Sequence, residues 1–296
     1  MALTRNAGLE NFTKAYTLDP HYAAAYAAAA EMYELLANNG AVDPAEAHPK
    51  AIFALTKALE IDPQSADNYR VLSIIRINEW KWKEAEEAIE RAIALDPSYA
   101  KAHRQYTRLL ASQGKFDASF ESIKRAQSLD PLNLRLKDDE GIILVYSKRY
   151  DDALRIFHNI AGLEPNSLVD FERGWILALQ GNYEESIFYF QKVSEATKDD
   201  VAIDCYLGYA LARSGRHKEA HQLLKEVEAS GRYVSPAVLA FFYIGFGDHE
   251  TALDLLEKAY SKNDMQLKFL RTERIYDAIA AEPRFQQLVR AVGLSD

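Results

Sequence analysis

Four prolines set the frame: Pro63, Pro97, Pro131 and Pro165 stand 34 residues apart, three of them after Asp and the fourth after Glu164. A fixed period of this length marks one supersecondary unit repeated along the chain. Such a unit cannot bury its apolar face alone and must stack on its neighbours. The length of 296 residues would suit two ordinary domains, but the period predicts a single elongated array instead. The most regular copy runs from Asn68 to Pro97, with two apolar helical stripes, a short turn and a closing Leu95-Asp96-Pro97.

Composition narrows the function classes. Hydrophobic residues make up 48% of the chain, and 13 Gly and 9 Pro are too few for a disordered one, so folding throughout is expected. A formal charge of −9 opposes a broad nucleic-acid surface, which needs clustered Lys and Arg. Cys205 is the single cysteine, which excludes an intramolecular disulfide and a four-cysteine zinc site. Neither the start, Met1-Ala-Leu-Thr-Arg-Asn, nor any other stretch offers a charge-free apolar run of membrane-spanning length. A cytoplasmic protein without a membrane segment is expected.

Taken in order, residues 1–22 match only the second half of the unit, so they are expected to form the second helix of an incomplete first repeat, either because a preceding helix belongs to a longer parent or because this helix serves as a cap. Residues 23–65 form the next unit. Its closing proline comes 43 residues after Pro20, and the surplus falls in a loop insertion over 38–50, rich in turn formers. That loop is either a partner contact at the rim or a tolerated surface loop. Regular units are expected at 66–99, 100–133, 134–166, 167–200, 201–232 and 233–266, making seven in all. Trp80 stands where other turns carry glycine, as in Gln113-Gly114-Lys115, and Trp82 aligns with Phe116, Tyr150 and Tyr183, which reads as packing. Near residue 199 the proline is lost while Lys198-Asp199-Asp200 keeps the spacing. Residues 267–296 are expected to be capping helices, the amphipathic stretches being Gln266 to Ile279 and Pro283 to Val292.

Aligned on its proline, the unit 66–99 presents Tyr69, Leu72, Ser73, Ala85, Ile89, Ala92 and Pro97 as a large, large, small, small, large, small, proline series. Gly141, Ala153 and Phe157 repeat it, as do Leu207, Gly208, Ala220 and Leu224, and Leu239, Ala240, Ala252 and Ala259. This series closely resembles the tetratricopeptide repeat. Small residues let paired helices approach, large ones fill the space between pairs, and proline stops the second helix. The resemblance implies an all-α, right-handed α-solenoid, acting as a non-catalytic scaffold for protein–protein or interdomain contacts through a concave groove. Pro44-Ala-Glu-Ala-His-Pro-Lys-Ala, Trp80-Lys-Trp82, Arg232-Tyr-Val-Ser-Pro236 and Glu282-Pro-Arg-Phe285 look like the C-terminal repeat regions of bacterial class III nucleotide cyclases and winged-helix transcriptional activators. That narrower likeness implies the regulatory segment of a signalling protein whose effector domain is not in this sequence. A free-standing structural adaptor for a larger complex is the other reading.

Chemistry is sparse. No phosphate-loop, dinucleotide, metalloprotease or nucleophile-elbow motif occurs, so no enzyme and no cofactor are expected. His217 and His221 share a helix face but lack a third ligand, and Cys205 lacks a neighbouring base. The groove implied by the resemblance is lined by first helices. By register its candidates are Asp67, Arg70 and Ile74; Lys101, Arg104 and Arg108; Arg135, Asp138 and Ile142; Phe171 and Trp175; Tyr206 and Tyr209; and Phe241. Two zones result, an early basic one and a later aromatic one. An acidic or C-terminal peptide, or an effector domain of the same parent chain, fits this groove; the alternative is a solvated basic face with extra core packing. Arg70 is followed one turn later by Ile74 and not Asn, a departure from repeats that clamp chaperone C-termini. Direct nucleic-acid binding is not expected, and self-association through the N-terminal half-repeat is.

Overall fold

The structure, a computed structural model, describes residues 2–38, 42–163, 167–197 and 200–294. Pro165 with its preceding Glu164, Lys198 and Asp199, and residues 39–41 of the expected loop insertion lie outside them, whereas residues 44–50 of that insertion are helical because Asp43 caps a helix that starts at Pro44. Among the described residues there are sixteen α-helices and no strand. They are α1 (Ala2–Leu18), α2 (Ala23–Asn38), α3 (Pro44–Ile61), α4 (Ala66–Asn78), α5 (Trp82–Leu95), α6 (Ala100–Ser112), α7 (Phe116–Leu129) and α8 (Leu134–Tyr146). The series continues with α9 (Tyr150–Leu163), α10 (Ser167–Leu179), α11 (Tyr183–Ala196), α12 (Val201–Arg213), α13 (His217–Ala229), α14 (Pro236–Phe246), α15 (His249–Ser261) and α16 (Pro283–Ala291).

The Asp-Pro steps have a local cause. Proline lacks an N–H, and the Asp side chain before it accepts from the residue after it: Asp62 from the Gln64 N–H at 3.1 Å and Asp96 from the Ser98 N–H at 2.9 Å. The chain therefore turns without stranding that donor, and the next helix starts at once. Ser65, for example, caps α4 by accepting from the Asn68 N–H. Between paired helices the turn needs a left-handed residue. Gly114, Gly181, Gly215 and Gly247 supply it, and Trp80 (φ 59°) and Lys148 (φ 62°) adopt the same conformation against their intrinsic preference.

The chain divides into two compact units. The first holds Met1–Leu110 and Asp117–Asn133, where α2 packs on α1, α3 and α4, and α4 on α5. Ser73, Ala85, Ile89 and Ala92 are fully buried there, as small and large residues at a tight helix pair must be. The second holds Ala111–Phe116 and Leu134–Asp296, where each helix from α8 to α15 packs on the next and α12 also packs on α14. Two glycines set the closest approaches in it. A Cβ on Gly141 would lie 2.5 Å from the Phe157 ring, and one on Gly208 would lie 1.9 Å from the Phe242 ring.

Gly208→Ala is therefore expected to destabilise. Alanine gains about 1 kcal/mol of helix propensity, but overpacking costs about 1–3 kcal/mol and more where a fully buried ring cannot move. Adding Phe242→Leu should recover part of the loss, a non-additivity readable in a urea-denaturation double-mutant cycle.

The tail differs from a simple pair of capping helices. The stretch expected as one amphipathic helix carries instead two 3-10 turns, Met265–Phe269 and Arg274–Ala278, and of the described tail only α16 is α-helical. Two carboxylates interrupt the helix: Asp264 accepts from the Gln266 N–H at 3.0 Å and Glu273 from the Ile275 N–H at 3.1 Å. Each restarts the backbone as a fresh N-cap.

Candidate functional site

In the second unit the first helices of successive repeats and the C-terminal tail enclose a cavity of about 210 Å³. Helix α8 contributes Asp138, Ile142 and Tyr146; α10 contributes Phe171, Glu172 and Trp175; α12 contributes Tyr206; α14 contributes Val238 and Phe241. Gln266, Phe269, Glu273 and Tyr276 of the tail complete the wall. The rings meet mostly edge to face: Phe171 and Tyr206 at 5.0 Å between centroids and 88°, Tyr146 and Trp175 at 5.7 Å and 79°. Tyr206 continues to Phe241 at 5.0 Å, and Phe241 to Tyr276 at 5.5 Å. Edge-to-face contacts of this kind hold aromatic walls rigid.

Two buried acids stand in this aromatic setting. Glu273 is 6% exposed and accepts from Trp175 Nε1 at 3.1 Å, from the Tyr206 hydroxyl at 2.9 Å and from its own turn. Burial raises its pKa, against the opposing effect of those donors. Glu172 is 2% exposed, and its Oε2 has no hydrogen-bond partner. Burial, then the charge and hydrogen bond of Asp138, push its carboxyl up to about 11. Glu172 is thus protonated at neutral pH.

The structure brings Asp138, Ile142, Phe171, Trp175, Tyr206 and Phe241 together at this cavity. Trp175 and Phe241 are buried in its wall, while Phe171 and Tyr206 are half-buried. Tyr209 does not line it. It is buried and packs edge-on against Tyr183 at 6.4 Å. Arg135 is exposed on α8 and does not line the cavity either.

The basic zone belongs to the first unit, and Arg70 is not a presented charge. It is 4% exposed and donates to Glu31 at 2.8 and 2.6 Å and to Asp67 at 2.7 Å. Burial raises the Asp67 carboxyl, but Arg70, the Tyr99 hydroxyl and Lys101 outweigh it and hold the pKa below its ordinary value. Ile74 is half-buried on the same helix. Lys101, Arg104 and Arg108 follow along α6, Lys101 and Arg108 exposed and Arg104 half-buried.

Glu172 and Glu273 escaped the register reading. Asp138, Glu172 and Tyr206 are spaced by 34 residues, so strict periodicity from Asp138 reaches Glu172, whereas the aromatic pattern draws attention to Phe171 beside it. Glu273 lies beyond the last repeat, where no period applies. Cys205 is fully buried and its thiol pKa is raised by burial. His221 is exposed, donates from Nδ1 to the His217 carbonyl (2.7 Å) and lies 4.3 Å from the Phe246 ring. Among the described residues no three His, Cys, Asp or Glu side chains converge as a metal site, and no helix is long and apolar enough to cross a membrane.

Residues 81–133 and 139–200 match the tetratricopeptide repeat family model. The chain is similar in fold to a chain in the crystal structure of the APC/C hetero-tetramer Cut9-Hcn1, at 15% identity and a TM-score of 0.65, covering 98% of this chain and 54% of that one. It thus spans about half the length of that relative. A tetratricopeptide repeat protein from Parabacteroides merdae is similar at 15% identity and TM-score 0.56, covering 88% and 98% of the two chains. The type IV pilus biogenesis factor PilW is similar at 14% and 0.52, covering 76% and 98%. No curated protein matches the sequence. The matched segments are tetratricopeptide repeats, and the chain has the all-helical fold of a tetratricopeptide solenoid. Solenoids of this type are in general scaffolds that bind other proteins.

Proposed function

We propose that this chain is a non-catalytic scaffold that binds a protein or peptide partner along its first helices, as the cytoplasmic regulatory segment of a bacterial signalling protein. The observation that carries the reading is the cavity of the second unit. Here α8, α10 and α12 hold an aromatic, partly open recess that internal packing does not fill. Rigid aromatic side chains around a recess are the usual anchors of a protein interface. Lys101, Arg104 and Arg108 on α6 add a cationic line suited to an acidic segment of a partner or of an effector domain in the same parent chain.

The test is affinity capture from the source cell with three baits: the wild-type chain, Phe171→Ala, and Arg104→Glu combined with Arg108→Glu. Partners held by wild type should fall by about tenfold or more with at least one variant. If both variants, folded by circular dichroism, retain every partner at wild-type level, the reading fails. A second contact is supported at the N-terminus. Leu18 is 76% exposed beside a groove lined by Leu9, Thr13, Thr17 and Tyr33, a face suited to a second copy of the chain. Light scattering should then show a concentration-dependent dimer that is lost when residues 1–22 are removed.

A further inference from the structure

The cavity of the second unit combines features that a purely apolar anchor site does not need. Its carboxyl-bearing lining residues are Asp138, Glu172 and Glu273, and no basic side chain lines it among the described residues. Glu273 is held by three donors and serves the architecture. Glu172 is different: it is 2% exposed, lines the cavity, and leaves Oε2 without any hydrogen bond. A buried polar atom left unpaired costs about 1–3 kcal/mol, and a hydrophobic residue at this position would avoid that cost. The rings of Phe171, Trp175 and Tyr206 line the same space, and ring faces attract cations.

We propose that this cavity binds an alkylammonium group, with Glu172 and Asp138 accepting its N–H bonds, the rings of Phe171, Trp175 and Tyr206 enclosing its methylenes, and a lysine of the bound partner as its source. The inference rests on the scaffold reading for that source and on the cavity alone for the chemistry. A neutral apolar ligand would leave Oε2 unpaired. An anion would face three acidic side chains with no basic residue in the lining.

In the empty cavity Glu172 is protonated beside Asp138. When an ammonium enters, the Glu172 O–H gives its proton to solvent, and the carboxylate formed accepts from the ammonium N–H. The titratable groups around it are Asp138 and Asp139 on α8, Glu273 in the tail, and the hydroxyls of Tyr146, Tyr206 and Tyr276. Burial raises the pKa of the Tyr206 and Tyr276 hydroxyls, so the released proton comes from the carboxyl pair.

The experiment is calorimetric titration of the full chain with butylammonium chloride, using butan-1-ol as the neutral control of similar size. Butylammonium should bind saturably and butan-1-ol should not. In buffers of different ionisation enthalpy, binding should release about one proton at neutral pH. Glu172→Gln preserves size but cannot become anionic. It should weaken butylammonium binding by about tenfold or more and abolish the proton release. Phe171→Leu should weaken binding while leaving proton release intact. Equal binding of butan-1-ol, or unchanged affinity in folded Glu172→Gln, overturns the inference. A capped Gly-Lys-Gly peptide that binds more tightly than butylammonium assigns the group to a partner lysine; equal affinity assigns it to a free amine and overturns that source. If the amine titration fails while captured partners persist, the cavity assignment falls and the scaffold reading stands.

Discussion

Replacing Phe157 with alanine is expected to lower the free energy of unfolding by about 3–5 kcal/mol, the range for deleting a fully buried aromatic ring. Phe157 on α9 has no exposed surface, and its ring fills the space where Gly141 of α8 has no side chain. The glycine cannot close that gap, because its backbone is held by the rest of α8, so the deletion leaves a cavity that collapses little. In a repeat array each unit is stabilised chiefly by its neighbours, and a void inside the α8–α9 pair also weakens the packing of α9 on α10. Urea denaturation followed by circular dichroism provides the measurement. A loss below about 1 kcal/mol would mean that the ring does not wedge this helix pair.

Glu172→Gln should act in the opposite direction and stabilise the protein, increasingly so as pH rises. The sign follows from linkage. In the folded chain the Glu172 pKa is raised to about 11, against a usual glutamate value of 4.5. The unfolded chain therefore loses this proton first. The stability linked to the group is fully present below pH 4.5 and is lost as pH rises from there toward the folded value. Each bound proton of difference tilts stability by about 1.4 kcal/mol per pH unit, which is the upper limit for this one site. Glutamine keeps the donor that faces Asp138 and has no proton to lose. Thermal melts between about pH 5 and pH 9 should show a downward trend in wild type that is shallower in Glu172→Gln. Parallel curves would show that the carboxyl is already ionised in the folded chain. A variant that gains stability while losing ammonium binding would mark Glu172 as kept for a ligand and not for the fold.

The architecture was legible because proline spacing and small–large alternation are local and repeat. Asp62 and Asp96 show why the proline steps are so regular, since each carboxylate accepts the N–H of the residue after proline and so holds the turn. The site was legible in part. Phe171, Trp175, Tyr206 and Phe241 could be named because aromatic residues on first helices stand out against an otherwise charged surface. Arg70 could not be judged from register, because its partner Glu31 lies 39 residues earlier on another helix and cancels its charge. Tyr209 sits one helical turn from Tyr206, yet packs on Tyr183 outside the cavity. The tail was the least readable part. Glu273 looks like a surface acid in sequence and becomes the buried acceptor of Trp175, 98 residues away, only when the tail folds onto α10 and α12.

Hydrogen–deuterium exchange of the chain with a captured partner bound tests the central claim most directly. Slowed exchange concentrated in α8, α10 and α12 of the second unit, with little change in α9, α11 and α13, is the result predicted for a partner seated on the first helices. Protection confined to α9, α11 and α13, or to the outer surface of α15 and α16, would contradict it.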